Sequence, residues 1–430
     1  QVMFDQCKAL IIGLQKRGAV VGSSLNTAYL LERLSQTLER LETLMAIFVS
    51  NRYLPRRILL LTGCFARAAA ARHSISRLWK QSSGLIARSV TQNAGDHGEH
   101  YITRDKKEYW AMFYSAAGGG VLIALMALFK TYLGSIIDDK VWKGLAEGLN
   151  YGFGFMVIFM LHFTVATKQP AMTAARFAEA VEKNPQGKTL NMKLAQLLVD
   201  VFRSQSVAVL GNVVVAMGLA ALIAFVYQHQ TGEPLMNSEK IAYQLHRIDP
   251  LDGSLWFAAI AGVWLFCSGI ISGYFDNRSN YLNMRMRLAQ HPLLKKLMSE
   301  KSRVKFANYM HENYGSLIGN FCFGMLLGLT GLVGYLTHLP LDIRHVAFSS
   351  ANLGYSAVSG QFAYPFFLQC IAFVLLIGLV NLIVSFSLTL WVALRSLNTE
   401  IDSWWAIWHE VCQIVKKRPL SLFFPVQLDK

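Results

Sequence analysis

No two of the six cysteines stand at CxxC spacing; Cys7, Cys64, Cys267, Cys322, Cys370 and Cys412 are scattered singly, three of them in apolar runs. That scatter argues against a disulfide framework and against a zinc site, since both need thiols brought together. Neither GxxxxGK[ST] nor GxGxxG occurs, so the glycine loops that cradle phosphates in ATP-driven motors and Rossmann enzymes are missing. The stretch "DHGEH", with His97, Glu99 and His100, lacks the His-Glu-x-x-His spacing that sets two imidazoles on one helix face, and it is expected to organise a linker rather than hold a metal. Acids are scarce and dispersed: 26 Asp and Glu stand against 41 Lys and Arg, a net charge of +15. No secretory leader is visible, and residue 1 is Gln rather than Met, as expected of a chain continuing from a longer protein.

Apolar length is what the sequence does have. Of the 430 residues, 53% are hydrophobic, and the mean hydropathy is +0.34. Soluble domains rarely reach such values, so the expected class is a multi-span membrane protein. Six stretches approach or exceed the roughly 20 residues needed to cross about 30 Å of hydrocarbon: 109–134, 145–166, 207–227, 255–275, 315–336 and 362–394.

The segments between them alternate in charge. Residues 1–90 hold thirteen Lys and Arg against four acids, 168–205 hold six basic residues, and 276–313 hold eight. The other three loops carry only Lys140 and Lys143, then Lys240 and Arg247, then Arg344. The positive-inside rule places the basic segments and both termini in the cytoplasm, with the sparse loops outside.

Cytoplasmic parts read as helical. Leu30, Leu31, Leu34, Leu38, Leu41 and Leu44 recur at three- and four-residue spacing. A second basic helix is expected over 55–80, a Gly/Ser/Asn-rich linker over 82–98, and a basic helix pair over 279–310 broken at His291-Pro292. Trp404, Trp405 and Trp408 with following lysines suit an interfacial amphipathic helix at 401–415.

The polar segment "LPLDIRHVAFSSANLGYS" (339–356) lies between the last two spans, on the expected outer face. Its Asp342, Arg344, His345, Ser349, Ser350 and Asn352 form the leading candidate ligand site, because an arginine beside polar donors suits an anionic headgroup. The competing reading is a loop whose groups satisfy one another. Inside the spans, Asn212, Asn320, Gln369 and Asn381 are expected either to line a polar path or to hold helices together by hydrogen bonds. His162, near the inner end of the second span, reads either as a functional ionisable group or as a neutral imidazole bonded to a neighbouring helix, and Lys168 and Gln169 either as part of a helix corner or as a cytoplasmic gate or headgroup contact. Pro170, in "ATKQPAMTA", should turn the chain at a fixed helix corner. The small-residue runs "AAGGG" (116–120) and "GFGF" (152–155) suit close helix packing.

Four stretches in order, "GEHYITRDKKEYWAMFYSAAGGG" (98–120), "HFTVATKQPAMTA" (162–174), "SGYFDNRSNYLNMRMRLAQHPLL" (272–294) and "LPLDIRHVAFSSANLGYS", resemble the Gcr-type bacterial inner-membrane proteins carried under the name site-specific recombinase. The resemblance spans roughly 84–395. It implies a Gram-negative inner membrane, and a cytoplasmic N-terminal region of which 1–83 is the end. The name implies DNA strand exchange, which needs a Ser or Tyr nucleophile with arginines on the phosphate, or two metals held by carboxylates.

The expectation is therefore an all-α, six-span helical bundle in the inner membrane: a cytoplasmic region (1–83), a linker (84–108), the membrane domain (109–395) and an interfacial tail (396–430). The expected function is a transporter-like or headgroup-handling module without a recognisable catalytic motif, a metal or a cofactor. Membrane lipids are the expected partners, with a protein partner at 28–46 or a homo-oligomer next, and nucleic acid, through the basic cytoplasmic face, less favoured.

Overall fold

The computed structural model describes residues 2–21, 25–48, isolated helical positions between 55 and 66, 102–103, 105–165, 188–396, 401 and 403–425. All regular structure among them is helical. In chain order the helices are α1 (Val2–Val21), α2 (Leu25–Phe48), α3 (Lys106–Ile136), α4 (Lys140–Met160), α5 (Lys188–Thr231), α6 (Ser238–Ile248), α7 (Ser254–Tyr281), α8 (Met284–Gln290), α9 (Pro292–Leu297), α10 (Glu300–Thr337), α11 (Val346–Ser359), α12 (Tyr364–Ser396) and α13 (Trp404–Lys417). The expected corner at Pro170, with Lys168 and Gln169, the linker at 82–98 with "DHGEH", and most of the expected helix over 55–80 lie outside the described residues.

The chain forms two compact units, residues 1–93 with 273–314, and residues 94–272 with 315–430. In the first, α1 and α2 pair, with Lys8 bonded to Glu42. Leu30, Leu34, Leu41 and Leu44 of the expected stripe are exposed on α2. The break foreseen at His291-Pro292 separates α8 from α9, with the proline in the first turn of α9 where its missing N–H costs nothing. Ser279 Oγ lies 3.1 Å from His311 Nδ1.

In the second unit, side chains start the helices where the sequence offers them. Asp105 caps α3 through Glu108 N at 2.7 Å, Asp139 caps α4, Asn237 caps α6 and Ser403 caps α13. Each accepts from an otherwise orphaned first-turn N–H. Helices α3, α5, α7, α10 and α12 are long and apolar enough to cross a membrane, so the protein is an all-α membrane bundle. The remaining expected span is α4. It ends at Met160, six residues short of the expectation, and its N-terminal half carries Lys140, Lys143 and Glu147, which dilute its hydropathy. Helix α5 has 44 residues, roughly 66 Å at 1.5 Å per residue, twice a bilayer core. Its excess length packs Leu194, Ala195 and Val199 against Leu390 and Ala393 of α12 and Ile407 and Val411 of α13.

At the centre lies α11, expected as loop. Fourteen residues are too few to span, yet most of them are buried. Its Phe348 and Tyr355 sit in one core with Ile123 of α3, Tyr151 and Phe155 of α4, Ala216 of α5, Leu265 of α7 and Phe323 of α10. The Tyr355 hydroxyl donates to the Ala124 carbonyl at 2.9 Å. A helix satisfies its own backbone, which an open loop at that depth would not. Helices α4 and α10 cross through glycines: a Cβ on Gly328 would stand 2.3 Å from the Gly148 Cα, and one on Gly324 2.2 Å from the Tyr151 carbonyl carbon. Gly119 and Gly120, of the expected small-residue face, let α5 come close: a Cβ on Gly119 would stand 3.1 Å from Asn212 Nδ2, and one on Gly120 2.8 Å from Asn212 O.

Candidate functional site

The segment ahead of α11 folds around Asp342. Its Oδ2 accepts from Arg344 Nη1 at 2.6 Å and lies 3.5 Å from Arg247 Nη1, while Oδ1 accepts from Ile343 N at 2.8 Å. Arg344 Nε donates to the Arg247 carbonyl at 2.7 Å, and its guanidinium lies 4.8 Å from the Phe257 ring centroid. Burial alone would push the Asp342 carboxyl up, but Arg247 and Arg344 outweigh it and hold it below the ordinary carboxylate range. The same carboxylate raises the pKa of Arg247 against its burial. Burial lowers the Arg344 pKa, against the pull of the same carboxylate.

His345 follows at the start of α11, packed among the rings of Phe155, Phe323 and Phe348. Burial drives its imidazole down to about 3, so it is neutral at physiological pH. Ser350 Oγ donates to Ala347 O within its own helix, and Ser349 is buried too. Of the six loop candidates, only Asp342 and Asn352 line open space.

The span candidates separate similarly. Asn381 of α12 is fully buried; its amide donates to Ala258 O (2.7 Å) and Arg344 O (3.0 Å) and accepts from Val346 N (3.2 Å), fastening the start of α11 to α7 and α12. Asn212 Nδ2 donates to Thr164 O at 2.9 Å and to Ala116 O, tying α5 to α3. Asn320 Nδ2 donates to Ser316 O within α10 at 2.7 Å. His162, expected inside the second span, instead follows the end of α4 in an exposed turn with φ 58°; its carbonyl accepts from Ser115 Oγ.

The open space is a cleft of about 500 Å³ at the end of the bundle where the three sparsely charged loops meet. Lys130 enters from α3, Lys140, Lys143 and Glu147 from α4, Lys240 and Arg247 from α6, and Asp342 from the segment before α11. Five basic side chains face two acidic ones, a net of +3. Lys130 Nζ lies 2.9 Å from Glu147 Oε2. Lys140 Nζ stands 4.3 Å over the Tyr335 ring. Lys143 and Lys240 have no carboxylate partner among the described residues.

Stability alone would not choose this placement. Lys140 and Lys143 occupy the first turn of α4, where the helix dipole already presents positive charge, and Asp139 is bonded to the backbone there. Apolar Met236, Leu327, Leu332 and Leu341 line the cleft beside polar Gln244 and Asn352. Charges of one sign beside a low-dielectric wall focus potential into a concavity, an arrangement whose net charge suits an anion. Sequence reasoning used these lysines for topology and did not join them into a site. The available signal was that four of the five basic residues in the sparse loops, Lys140, Lys143, Lys240 and Arg247, share one end of the bundle, and Lys130 interrupts an apolar run at that end.

No curated protein and no solved structure matches the chain. A family model described as site-specific recombinase matches residues 1–425, which takes in the N-terminal helices and the tail as well as the bundle. By that match the chain belongs to the site-specific recombinase family.

Proposed function

We propose that the protein is a membrane-embedded binding module that holds an anionic ligand, a phosphate-bearing group above all, in the cleft at the outer end of its bundle. The observation that carries this reading is the convergence of Lys130, Lys140, Lys143, Lys240 and Arg247, from three helices, on one concavity with only Glu147 and Asp342 opposing them. The bundle lies in a cytoplasmic membrane with the cleft outward: most of its charged residues come from the sparsely charged loops, which alternate along the chain with the basic segments 168–205 and 276–313, and basic segments stay inside. Binding and handling of the ligand, rather than bond cleavage, is the activity these groups support: their ammonium and guanidinium groups hold charge and offer donors, and His345 is enclosed by phenyl rings.

Calorimetry with glycerol 3-phosphate on protein in mild detergent tests it. The expected result is saturable binding that weakens with salt and drops at least tenfold in the double variant Lys143→Gln, Lys240→Gln. Equal heats for wild type and variant would sink the reading.

DNA strand exchange, which the family's description names, is a second reading. The basic run Arg278–Lys305 supports affinity for a polyanion. Among the described residues no three His, Cys, Asp or Glu are placed to hold a metal ion. Duplex affinity that survives the Lys143/Lys240 substitutions and falls steeply with salt would favour this reading.

A further inference from the structure

Next to the cationic cleft, α3 and α4 enclose a second concavity of about 610 Å³. Leu125, Phe129, Leu149, Phe153 and Val157 line it and are exposed. The polar side chain among its lining residues, Asn150, is already bonded to the Met126 carbonyl at 3.0 Å. Along α3 the lining runs from Leu122 to Leu133, about 16 Å at 1.5 Å per residue. That is close to one leaflet, half of a hydrocarbon core about 30 Å thick.

The groove and the cleft share their two helices. Phe129 and Leu133 line the groove where Lys130 and Gly134 line the cleft, and on α4 Ala146 lines the groove beside Glu147 of the cleft. One surface thus runs from an apolar channel of leaflet length to a cluster of ammonium groups. A soluble anion has no use for the first part, and a neutral lipid has none for the second.

We propose, resting on the cleft reading above, that the ligand is an anionic phospholipid of the outer leaflet. Its phosphate sits among Lys140, Lys143 and Lys240, and one acyl chain lies in the α3–α4 groove. Charge complementarity selects the headgroup, and the length and dryness of the groove select a chain of one leaflet.

The test is native mass spectrometry of the delipidated full chain, incubated with phosphatidylglycerol, phosphatidylcholine or glycerol 3-phosphate. Three forms are compared: wild type, the cleft variant Lys143→Gln/Lys240→Gln, and the groove-filling variant Ala146→Trp. Size-exclusion and thermal unfolding profiles confirm that each variant is folded, and Leu125→Ser replaces Ala146→Trp if the latter is not. Wild type should retain phosphatidylglycerol at least tenfold over phosphatidylcholine. The cleft variant should lose that preference. The groove variant should lose phosphatidylglycerol yet keep glycerol 3-phosphate.

Lipid retention unchanged by the groove variants, with the cleft variant still defective, overturns the lipid assignment and leaves the anion reading standing. Retention of both lipids alike by wild type means annular lipid only and overturns the proposal. Loss of glycerol 3-phosphate binding by none of the variants overturns both readings together.

Discussion

Replacing Asp342 with asparagine separates the two roles that its carboxylate holds. The substitution preserves shape and an acceptor for Ile343 N, but removes the charge between Arg344, 2.6 Å away, and Arg247, 3.5 Å away. The side chains of Arg344 and Arg247 are only 8% and 15% exposed, so two guanidiniums are left facing each other with little solvent between them. Removing one partner of a buried pair costs about 3–5 kcal/mol. Asp342 itself is 30% exposed, and solvent screening brings the expected loss to the lower end, about 3 kcal/mol. The same change raises the net charge lining the cleft from +3 to +4.

Unfolding in mild detergent should therefore show a less stable protein, while anion titration at low salt shows a tighter one. A variant that is merely damaged would weaken both. The pH dependence has a definite sign. The folded carboxyl titrates below its unfolded value, so its stabilisation is complete above about pH 4 and is lost as pH falls through the lower folded value. The gap between wild type and variant should be level from pH 8 to 5 and close below 4. Equal stability of the two proteins at pH 7, or weaker anion binding by the variant, would refute the account of this pair.

Four further outcomes are expected. His345 stays neutral when folded down to about pH 3, whereas an unfolded histidine protonates near 6.5. Stability should thus fall by about 1.4 kcal/mol for each pH unit below 6.5, and His345→Phe should flatten that slope in denaturation midpoints measured between pH 6 and 4.5. Gly328→Val drives a side chain into the Gly148 backbone and should cost about 1–3 kcal/mol or block assembly. Gly218→Ala, with nothing within 4 Å of its Cβ, should be neutral or slightly stabilising in the same thermal assay. Asn381→Leu leaves Val346 N and two carbonyls without their partner. A loss of about 1–3 kcal/mol is expected, with faster hydrogen exchange at the start of α11 than in wild type.

Much of the fold was legible because its signals are local. Apolar length marked α3, α5, α7, α10 and α12, and the break at His291-Pro292 follows from the geometry of one proline. The C-terminal end of α4 was misjudged because apolar residues continue past Met160 while the backbone turns at His162. Helix α11 was missed for the opposite reason. Its serines and asparagine suggest a loop, but Ser350 bonds within its own helix and the capping amide comes from Asn381, thirty-five residues away.

The candidate site divides along the same line. Residue type alone offered Asp342 and Arg344 as ligand groups or as members of a loop that satisfies itself, and the two bond to each other; no spacing rule showed that Arg247 joins them from α6. Sequence by itself determined that the chain is a helical membrane bundle with scarce charge in three of its loops, since hydropathy and charge are sums over neighbouring residues. Only the tertiary structure decided that those scarce charges, carried on three loops and the end of one span, meet in a single cleft. Convergence of groups more than a hundred residues apart depends on how helices pack, and packing here turns on glycines and buried amides that act across the bundle rather than along the chain.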